Sequence, residues 1–324
     1  MVRSPQRLCP GLRPRGAAHG LSVPVRAHCM PLAASLPWPS ARTRADRVRA
    51  RLATQAARPD AANEDFAAVS PSAAVLLDGA GIPRGLQSGC VHGVAWFART
   101  LGTTLLAETV DPAGRPLADC LVRAIGRVRL LHEGACDLAH PGSPTATVVA
   151  IRVGADQLEY LVLADSSLVL TSTSGAAEVV TDRRLDEVLQ GTREAIDRIP
   201  LSDPGYPAAF SEHILAVRHL RNSPGGFWVA SPDPAVAEHA LIGSRPLAGL
   251  RSALLLSDGA SRPADLFGLA SFADLAAVAA GDEGPAALIR QVRAAEATDP
   301  DGRRWKRSKA RDDATVVYCD QLAS

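Results

Sequence analysis

Short apolar runs rich in β-branched residues alternate along the chain with longer stretches in which apolar residues recur every three or four positions. The first pattern is typical of strands and the second of helices that bury one face. In Thr145–Val153 almost every residue is apolar or β-branched, which indicates a strand covered on both sides. The pattern predicts strands at about 65–70, 73–78, 145–153, 158–164, 167–171, 176–181, 226–231, 252–257 and 314–319, and helices at about 91–109, 116–134, 182–198, 211–222, 233–241, 271–280 and 285–297.

The order of these elements indicates how they pack. The predicted strands come in consecutive runs, with helices grouped before and after them, instead of alternating one by one with helices. We therefore expect an α+β fold, a four-layer α-β-β-α sandwich of two mostly antiparallel sheets flanked by helices. The same order argues against a doubly wound parallel sheet. We expect this domain to span residues 59–322. The sequence has no Gly-x-Gly-x-x-Gly or Walker-type loop, so nothing in it supports nucleotide binding.

Residues 1–58 differ from the rest of the chain in composition. They hold eleven Arg and one acidic residue, Asp46, and the first 40 residues are rich in Pro without a sustained period. We expect residues 1–58 to be a basic Pro/Arg-rich tail that is disordered, and we expect residues 1–40 to be dispensable for folding. Its prolines oppose the amphipathic helix of a transit peptide, and Met30 is an internal candidate for the true start. A short helix at 40–57 is the one element expected in this part of the chain.

Charge and hydropathy narrow the class of partner. After residue 58 the chain has 24 basic and 33 acidic residues, so the expected domain is acidic. An acidic domain argues against nucleic acid as a partner, because phosphate backbones require clusters of Lys and Arg. The sequence has no long uncharged apolar run, so we expect no membrane span. The oligomeric state stays open.

The six cysteines indicate neither a disulfide framework nor a zinc site. No Cys-x-x-Cys pair and no export signal occur, so the expected compartment is the reducing cytosol and the protein is expected to be cytoplasmic. Cys90-Val91-His92 resembles the start of a zinc site, but Cys120 and Cys136 show no ligand spacing. We therefore predict no zinc, and a buried thiol at Cys319.

Four short motifs with carboxylates stand at the edges of predicted strands. They are Asn-Glu-Asp at 63–65, Leu-Asp-Gly at 77–79, Ser-Asp-Gly at 257–259 and Arg-Asp-Asp at 311–313. A carboxylate at a strand end points into the cleft that the strands share. Several such oxygens in one place suit Mg²⁺ or Mn²⁺, which prefer carboxylates and water to sulfur or imidazole. One Asp-Gly pair alone is typical of a turn, so the inference depends on the order and contexts of all four motifs.

These motifs resemble those of the metal-dependent protein phosphatases of the 2C type. The third motif matches the family's Ser-Asp-Gly motif closely, and the fourth matches its closing Arg-Asp-Asn motif, with Asp313 in place of Asn. The likeness covers residues 59–320. Six stretches carry it, in the family's order: 63–66, 75–81, 141–147, 161–166, 254–259 and 311–317.

The resemblance implies an α-β-β-α sandwich and a phosphoserine/phosphothreonine protein phosphatase that acts on phosphoprotein substrates. It implies two Mn²⁺ or Mg²⁺ ions that share a bridging water, which attacks phosphorus in line without a covalent enzyme intermediate. By the same resemblance Asp78, Asp258 and Asp312 are the catalytic carboxylates. The implied metal ligands are Glu64, Asp65, Asp78, the Gly79 carbonyl, Asp258 and Asp312, with Asp165 as a candidate for a third, weaker metal. A hairpin turn accounts for Asp165 equally well.

The chain departs from the family pattern around the substrate. The family's phosphate-binding Arg, four residues before the motif Glu, is replaced by Asp60, and Arg58 is the nearest substitute. Arg262, where many relatives have another metal-binding Asp, and Arg311 are the other candidate contacts for substrate phosphate. The basic stretch at 303–309 leads into the fourth motif and is a further candidate surface. No His follows the second motif, so a metal-bound water must protonate the leaving group.

Three function classes remain open from the sequence. The first is an active phosphatase of phosphoserine and phosphothreonine. The second is a catalytically weakened relative that serves as a regulatory or binding module. The third is a metal-dependent hydrolase of small phosphoesters. The presence of every core carboxylate favours the phosphatase, because a degenerate module usually loses some of them.

Overall fold

The computed structural model describes residues 48–81, 86–132, 134–190 and 192–322 of the chain. These residues belong to one compact unit. The strands are β1 (Arg49–Gln55), β2 (Phe66–Ser70), β3 (Ala73–Leu77), β4 (Gly79–Ala80), β5 (Thr145–Ala146), β6 (Val148–Val153), β7 (Gln157–Leu163), β8 (Ser167–Ser172), β9 (Ala177–Val180), β10 (Leu241–Pro246), β11 (Leu250–Leu256) and β12 (Ala314–Asp320). The helices are α1 (Val94–Thr109), α2 (Leu117–His132), α3 (Arg184–Gln190), α4 (Glu194–Asp197), α5 (Tyr206–Val217), α6 (Asp258–Asp265), α7 (Phe272–Ala280) and α8 (Pro285–Ala297), and 3-10 helices span Arg218–Leu220 and Pro234–His239.

Ten of these strands form two five-stranded sheets. Sheet I has the order β1-β12-β11-β8-β9, and sheet II has the order β10-β7-β6-β3-β2. Strands β4 and β5 form a separate pair. All neighbouring strands within sheets I and II are antiparallel. The predicted α+β class with mostly antiparallel sheets is therefore confirmed.

Three apolar layers hold the sheets and helices together. Between the two sheets, Leu76 of sheet II packs in one cluster with Leu255 and Val317 of sheet I. The next residue of β3, Leu77, points the other way and packs with Phe97 of α1, as part of a layer that α1 and α2 cover. A third layer lies between sheet I and helices α6, α7 and α8. Inner strands such as β3, β11 and β12 are apolar on both faces because each sheet is covered on both sides.

One end of the sandwich collects the strand ends that carry the carboxylate motifs. In sheet II, Phe66 begins β2 opposite Leu77, which ends β3. In sheet I, Leu256 ends β11 opposite Ser167 of β8 and Val316 of β12. Antiparallel neighbours run in opposite directions, so within each sheet the end of one strand lies beside the start of the next.

The predicted helix at 40–57 is wrong in the part that the structure describes. Residues 49–55 form β1, which pairs with β12 along seven residues, from Arg49 opposite Asp320 to Gln55 opposite Ala314. The folded domain therefore begins before residue 59. The tail predicted for the first 40 residues lies outside the described residues.

Two other local predictions also fail. The predicted strand at 226–231 forms only isolated bridges, one between Arg221 and Phe227 and one between Ala146 and Ala230. The residues after Ser257 form helix α6, which the sequence does not predict. Ser257 is the N-cap of this helix and Asp258 lies in its first turn, where the helix dipole favours a negative charge. None of the helices in the described ranges is long and apolar enough to cross a membrane.

Candidate active site

The structure brings together the three predicted catalytic carboxylates. Asp78 directly follows β3, Asp258 is the first residue of α6 after β11, and Asp312 lies just before β12. Burial raises the pKa of Asp78 well above its usual range, and the charges of Asp65, Asp258 and Asp312 raise it further. Such repulsion acts between nearby charges, so these carboxylates lie near one another. They define a carboxylate cleft to which both sheets contribute.

The glycines of the two Asp-Gly motifs allow this convergence. A Cβ atom at Gly79 would lie 2.5 Å from the Glu64 carbonyl oxygen and 2.6 Å from Val94 Cγ1. A Cβ atom at Gly259 would lie 1.9 Å from the Asp313 carbonyl oxygen. A side chain at Gly79 would displace the motif that contains Glu64, and one at Gly259 would displace the motif that contains Asp313. The two Asp-Gly pairs are therefore points of close backbone approach.

Asp65 shows that the cleft fits a cation. Its side chain is 7% exposed, and neither carboxylate oxygen has a hydrogen-bond partner among the described residues. Burial raises the pKa of Asp65 to about 7. The hydroxyls of Thr315 and Ser257 are near enough to lower this pKa but do not meet hydrogen-bond geometry, and the charge of Asp258 raises it. A buried carboxylate without partners is costly. A hard divalent cation, bound directly or through water, is the ligand that satisfies such a group.

Lys309, whose side chain is half exposed, brings a cation of the protein to the carboxylate cleft. Its Nζ lies 2.7 Å from Asp312 Oδ1. The charge of Lys309 also opposes the rise in the pKa of Asp78 and of Asp258, so the ammonium group faces all three carboxylates. Within the basic stretch at 303–309, no sequence signal distinguishes this lysine from its neighbours.

Much of that basic stretch is built into the domain. Arg307 is buried, and its Nη1 lies 2.9 Å from Asp299 Oδ2. The same carboxylate accepts hydrogen bonds from the backbone N–H groups of residues 303–305. Burial by itself would raise the pKa of Asp299, but these donors and the Arg307 guanidinium lower it to about 2. The loop is therefore anchored just before it delivers Lys309 to the cleft.

Arg262, a candidate contact for substrate phosphate, is paired with carboxylates of the protein. The residue is buried, and its guanidinium donates to Glu296 Oε1 at 2.6 Å and to Asp312 Oδ2 at 3.1 Å. Glu296 also accepts from Arg293, which donates to the Asp312 backbone carbonyl at 2.7 Å. Because both groups fix Asp312, we interpret Arg262 as a positioning residue and do not assign it to the substrate.

Asp313 stands where the resembled family has Asn. Its Oδ1 accepts a hydrogen bond from the Ala57 N–H at 2.7 Å, and its Oδ2 accepts one from the Glu64 N–H at 2.6 Å. A carboxylate suits this position because both partners are donors. Asp313 thus ties the loop between β1 and β2 to the start of β12, and it fixes the backbone of the half-buried Glu64.

Asp165 lies in the turn between β7 and β8, next to the carboxylate cleft. Burial raises its pKa to about 8, and the charges of Asp258, Asp186 and Asp265 contribute to the rise. Asp258 therefore faces both the cleft and this second acidic group. Asp186 of α3 and Asp265 of α6 follow no motif, so the sequence analysis did not identify them as neighbours of the site.

The other two candidate phosphate contacts are exposed. Arg58 follows Ala57, whose N–H binds Asp313, and its Nε lies 3.6 Å from Asp60 Oδ1. Their side chains are 54% and 80% exposed, so this ion pair contributes little to stability. Arg311, in the closing motif, is also exposed. Both arginines are thus close in sequence to site residues and open to solvent.

The raised carboxyl pKa values predict that stability depends on pH when no divalent cation is added. Folded Asp65 and Asp165, with pKa values of about 7 and 8, keep protons that the unfolded chain loses near pH 4. This contribution is fully present below pH 4 and is lost as pH rises through 7 and 8. We expect the Tm to fall by several degrees between pH 5 and pH 8, with a smaller fall for Asp165→Asn. Differential scanning fluorimetry measures this fall. An equal fall of Tm with pH in the wild type and in Asp165→Asn would contradict the prediction.

Comparison with known proteins shows the fold to be shared. No family model matches the sequence, and no curated protein does. PppA, a key regulatory component of T6SS in Pseudomonas aeruginosa, matches over 85% of this chain and 97% of its own, with 18% identity and a TM-score of 0.51. A bacterial serine phosphatase matches over 86% of this chain and 99% of its own, with 13% identity and a TM-score of 0.50. The catalytic domain of the serine/threonine phosphatase PstP, in complex with two manganese ions, covers 85% of this chain and 98% of its own at 18% identity, with a TM-score of 0.49. The predicted α-β-β-α sandwich is thereby confirmed.

Proposed function

We propose that this chain, which has the fold of the 2C-type phosphatases, is a metal-dependent phosphatase of phosphoserine and phosphothreonine in proteins. One observation carries the proposal: carboxylates from four separate motifs converge on one cleft, where both oxygens of Asp65 have no hydrogen-bond partner among the described residues. The shared fold with a bacterial serine phosphatase supports it.

Mg²⁺ or Mn²⁺ ions fit this cleft by the chemistry of its donors. The residues that would hold them are Asp65, Asp78, the Gly79 carbonyl, Asp258 and Asp312, with Glu64 beside them and Asp165 available for a further ion. When bound, two such ions lower the pKa of a water toward neutrality and neutralise charge on the phosphoryl oxygens.

Positive side chains around the cleft would bind the substrate phosphate. Arg58 and Arg311 are exposed, and each offers a planar set of donors that matches a phosphate group. Lys309 already places an ammonium group among the carboxylates. Arg262 acts on the substrate only indirectly, because its guanidinium fixes Asp312.

The leaving group receives little help from side chains next to Asp78. The two residues that follow the Asp-Gly pair in the described chain, Ala80 and Gly81, carry no acidic proton. We therefore propose that water protonates the departing serine or threonine oxygen. This step would limit the rate most for the poor leaving group of a phosphothreonine peptide and least for an aryl phosphate.

No observation favours the alternative of a catalytically weakened binding module. A module that had lost catalysis would be expected to lose some carboxylates of the cleft. The crowding of Asp65, Asp78, Asp258 and Asp312, which raises the pKa of Asp65 and of Asp78, supports the phosphatase instead.

Phosphate release in the presence of added cations tests the proposed function. The full chain should release phosphate from a phosphothreonine peptide and from an aryl phosphate, with saturable dependence on added Mn²⁺ or Mg²⁺. Turnover of the aryl phosphate alone would favour a hydrolase of small phosphoesters. A folded protein that released no phosphate from either substrate at any cation concentration would overturn the proposal.

A further inference from the structure

Four metal-ligating side chains lie together outside the carboxylate cleft. Two precede α1, one is the last residue of α2, and one lies in the turn that follows α2. Their ligand atoms all lie within 4.8 Å of one another. The sequence predicts no zinc site, yet the fold brings a pair before α1 next to a pair at the end of α2. We call this group the Cys₂His₂ cluster: Cys90, His92, His132 and Cys136.

The distances within the Cys₂His₂ cluster match the edges of a tetrahedron around zinc. Ordinary Zn–S and Zn–N bond lengths require about 3.8 Å between two sulfurs and about 3.6 Å between sulfur and nitrogen. Cys90 Sγ lies 3.6 Å from Cys136 Sγ and 3.6 Å from His132 Nε2. His92 Nδ1 lies 3.8 Å from Cys90 Sγ and 3.3 Å from Cys136 Sγ. Both cysteines are free, because the S–S bond of a disulfide is only about 2.05 Å long.

Backbone N–H groups orient the two sulfur atoms of the Cys₂His₂ cluster. The backbone N–H groups of Val91 and His92 donate to Cys136 Sγ and Cys90 Sγ, each at 3.4 Å. Hydrogen bonds to sulfur stabilise a thiolate and orient it toward a metal. His132 is 1% exposed, and the contact of its Nε2 with Cys90 is a weak hydrogen bond, since sulfur is a poor partner.

An aromatic ring fixes the imidazoles of the Cys₂His₂ cluster. The Trp96 ring stacks on the His92 ring at 4.2 Å between centroids, and it lies 4.8 Å from the His132 ring. Such packing holds both rings in place without using their nitrogen atoms. The ligand atoms therefore stay directed at one point, as a preformed metal site requires.

We propose that the Cys₂His₂ cluster is a structural zinc site. Two sulfur and two nitrogen ligands in a tetrahedron select Zn²⁺, whereas the oxygen donors of the carboxylate cleft select Mg²⁺ or Mn²⁺. Four protein ligands close the coordination sphere and leave no position for a substrate, so the site is structural and not catalytic. The chain thus has two metal centres of different chemistry.

The zinc site would fasten the segment that enters α1 to the end of α2. Val94, the first residue of α1, lies two residues after His92 and packs against Gly79 and Gly81 at the edge of the carboxylate cleft. A Cβ atom at Gly81 would lie 2.5 Å from Val94 Cγ2, which shows how close this packing is. Zinc therefore stabilises the wall of the cleft without contacting its carboxylates.

The metal content of the full chain tests the zinc site. Protein grown with zinc and dialysed without a chelator should contain one Zn²⁺ per chain by mass spectrometry. Exchange for Co²⁺ should give the intense visible bands of tetrahedral cobalt and a thiolate charge-transfer band, which Mn²⁺ in the carboxylate cleft does not produce. Cys136→Ser should lose the zinc, lose the cobalt bands and melt at a lower temperature. Cys120→Ala, which removes a buried thiol outside the cluster, should keep one Zn²⁺ per chain.

Two results would overturn the zinc site. One is a wild-type protein with native circular dichroism that holds no zinc and shows no thiolate–cobalt band. The other is zinc that persists at one ion per chain in both Cys136→Ser and Cys90→Ser. If Cys136→Ser does not fold, the wild-type cobalt spectrum still decides the question. An absence of phosphatase activity would leave these metal measurements unchanged, so the two proposals fail separately.

Discussion

Replacing Asp258 by Asn is expected to abolish metal-dependent phosphate release while the fold stays intact. Asn keeps the size of the side chain but removes the charge that neutralises a divalent cation. Loss of a group that only supports a metal ligand typically costs 10- to 100-fold, so loss of a ligand should lower turnover by about 100-fold or more. The variant should bind Mn²⁺ more weakly, so its residual activity should need higher Mn²⁺ concentrations.

The thermal stability of Asp258→Asn shows whether its loss of activity comes from a lost metal ligand or from unfolding. Burial raises the pKa of Asp258, and the charge of Asp312 raises it further, so removing this charge relieves repulsion. Without added cations the Tm should therefore hold or rise. Asp282→Asn, in the exposed turn between α7 and α8, is a matched control and should keep wild-type turnover. Wild-type turnover of Asp258→Asn at every Mn²⁺ concentration would exclude Asp258 as an essential ligand.

Of two N-terminal truncations, the shorter should leave stability almost unchanged and the longer should abolish it. A chain that begins at Ala41 should melt at nearly the wild-type temperature, because the residues before it offer no apolar face to bury. A chain that begins at Pro59 lacks β1 and should fail to fold or should aggregate. The lost ladder with β12, at about 1 kcal/mol for each hydrogen bond, is a large part of the about 5–15 kcal/mol that stabilises a domain.

The second truncation also removes specific ties to the active site. Without β1, the buried strand β12 becomes an edge, which exposes a template for aggregation. The N–H of Ala57 no longer binds Asp313, so the start of β12 beside Asp312 loses one anchor. Circular dichroism and thermal melting of both truncations would check these expectations. A cooperative melt near the wild-type temperature for the chain that begins at Pro59 would show that β1 is dispensable.

The sequence predicts the elements whose burial requires a regular pattern of apolar residues. The long β-branched run at Thr145–Val153 indicated a doubly covered strand, and Pro285 marked the first residue of α8. The sequence of β1, Arg-Ala-Arg-Leu-Ala-Thr-Gln, has few large apolar residues because it lies at the edge of sheet I. Its stability comes from pairing with β12, which no local pattern reveals. Helix α6 was missed because Ser-Asp-Gly is also typical of a turn.

The sequence predicts the site residues that belong to motifs. It does not predict the residues that only the folding of the chain brings to the site. The carboxylates Asp65, Asp78, Asp258 and Asp312 stand in motifs, so their convergence was expected. The neighbour Lys309 reaches the cleft through an anchored loop, and nothing in its local sequence indicates that path. The Cys₂His₂ cluster did have a signal, His132-x-x-x-Cys136 beside Cys90-x-His92. The two pairs are far apart in the sequence, so no local spacing joins them into one site.

The ammonium group of Lys309 gives the cleft a counter-ion of its own. Because it lies 2.7 Å from Asp312 and faces Asp78 and Asp258, part of the carboxylate repulsion is balanced before any metal arrives. If metal ions bind in the carboxylate cleft as proposed, their loading would exchange one cation for another instead of filling a cleft with no counter-ion. The anchor at Asp299 fixes the backbone just before Lys309, so such an exchange would need only the lysine side chain to move.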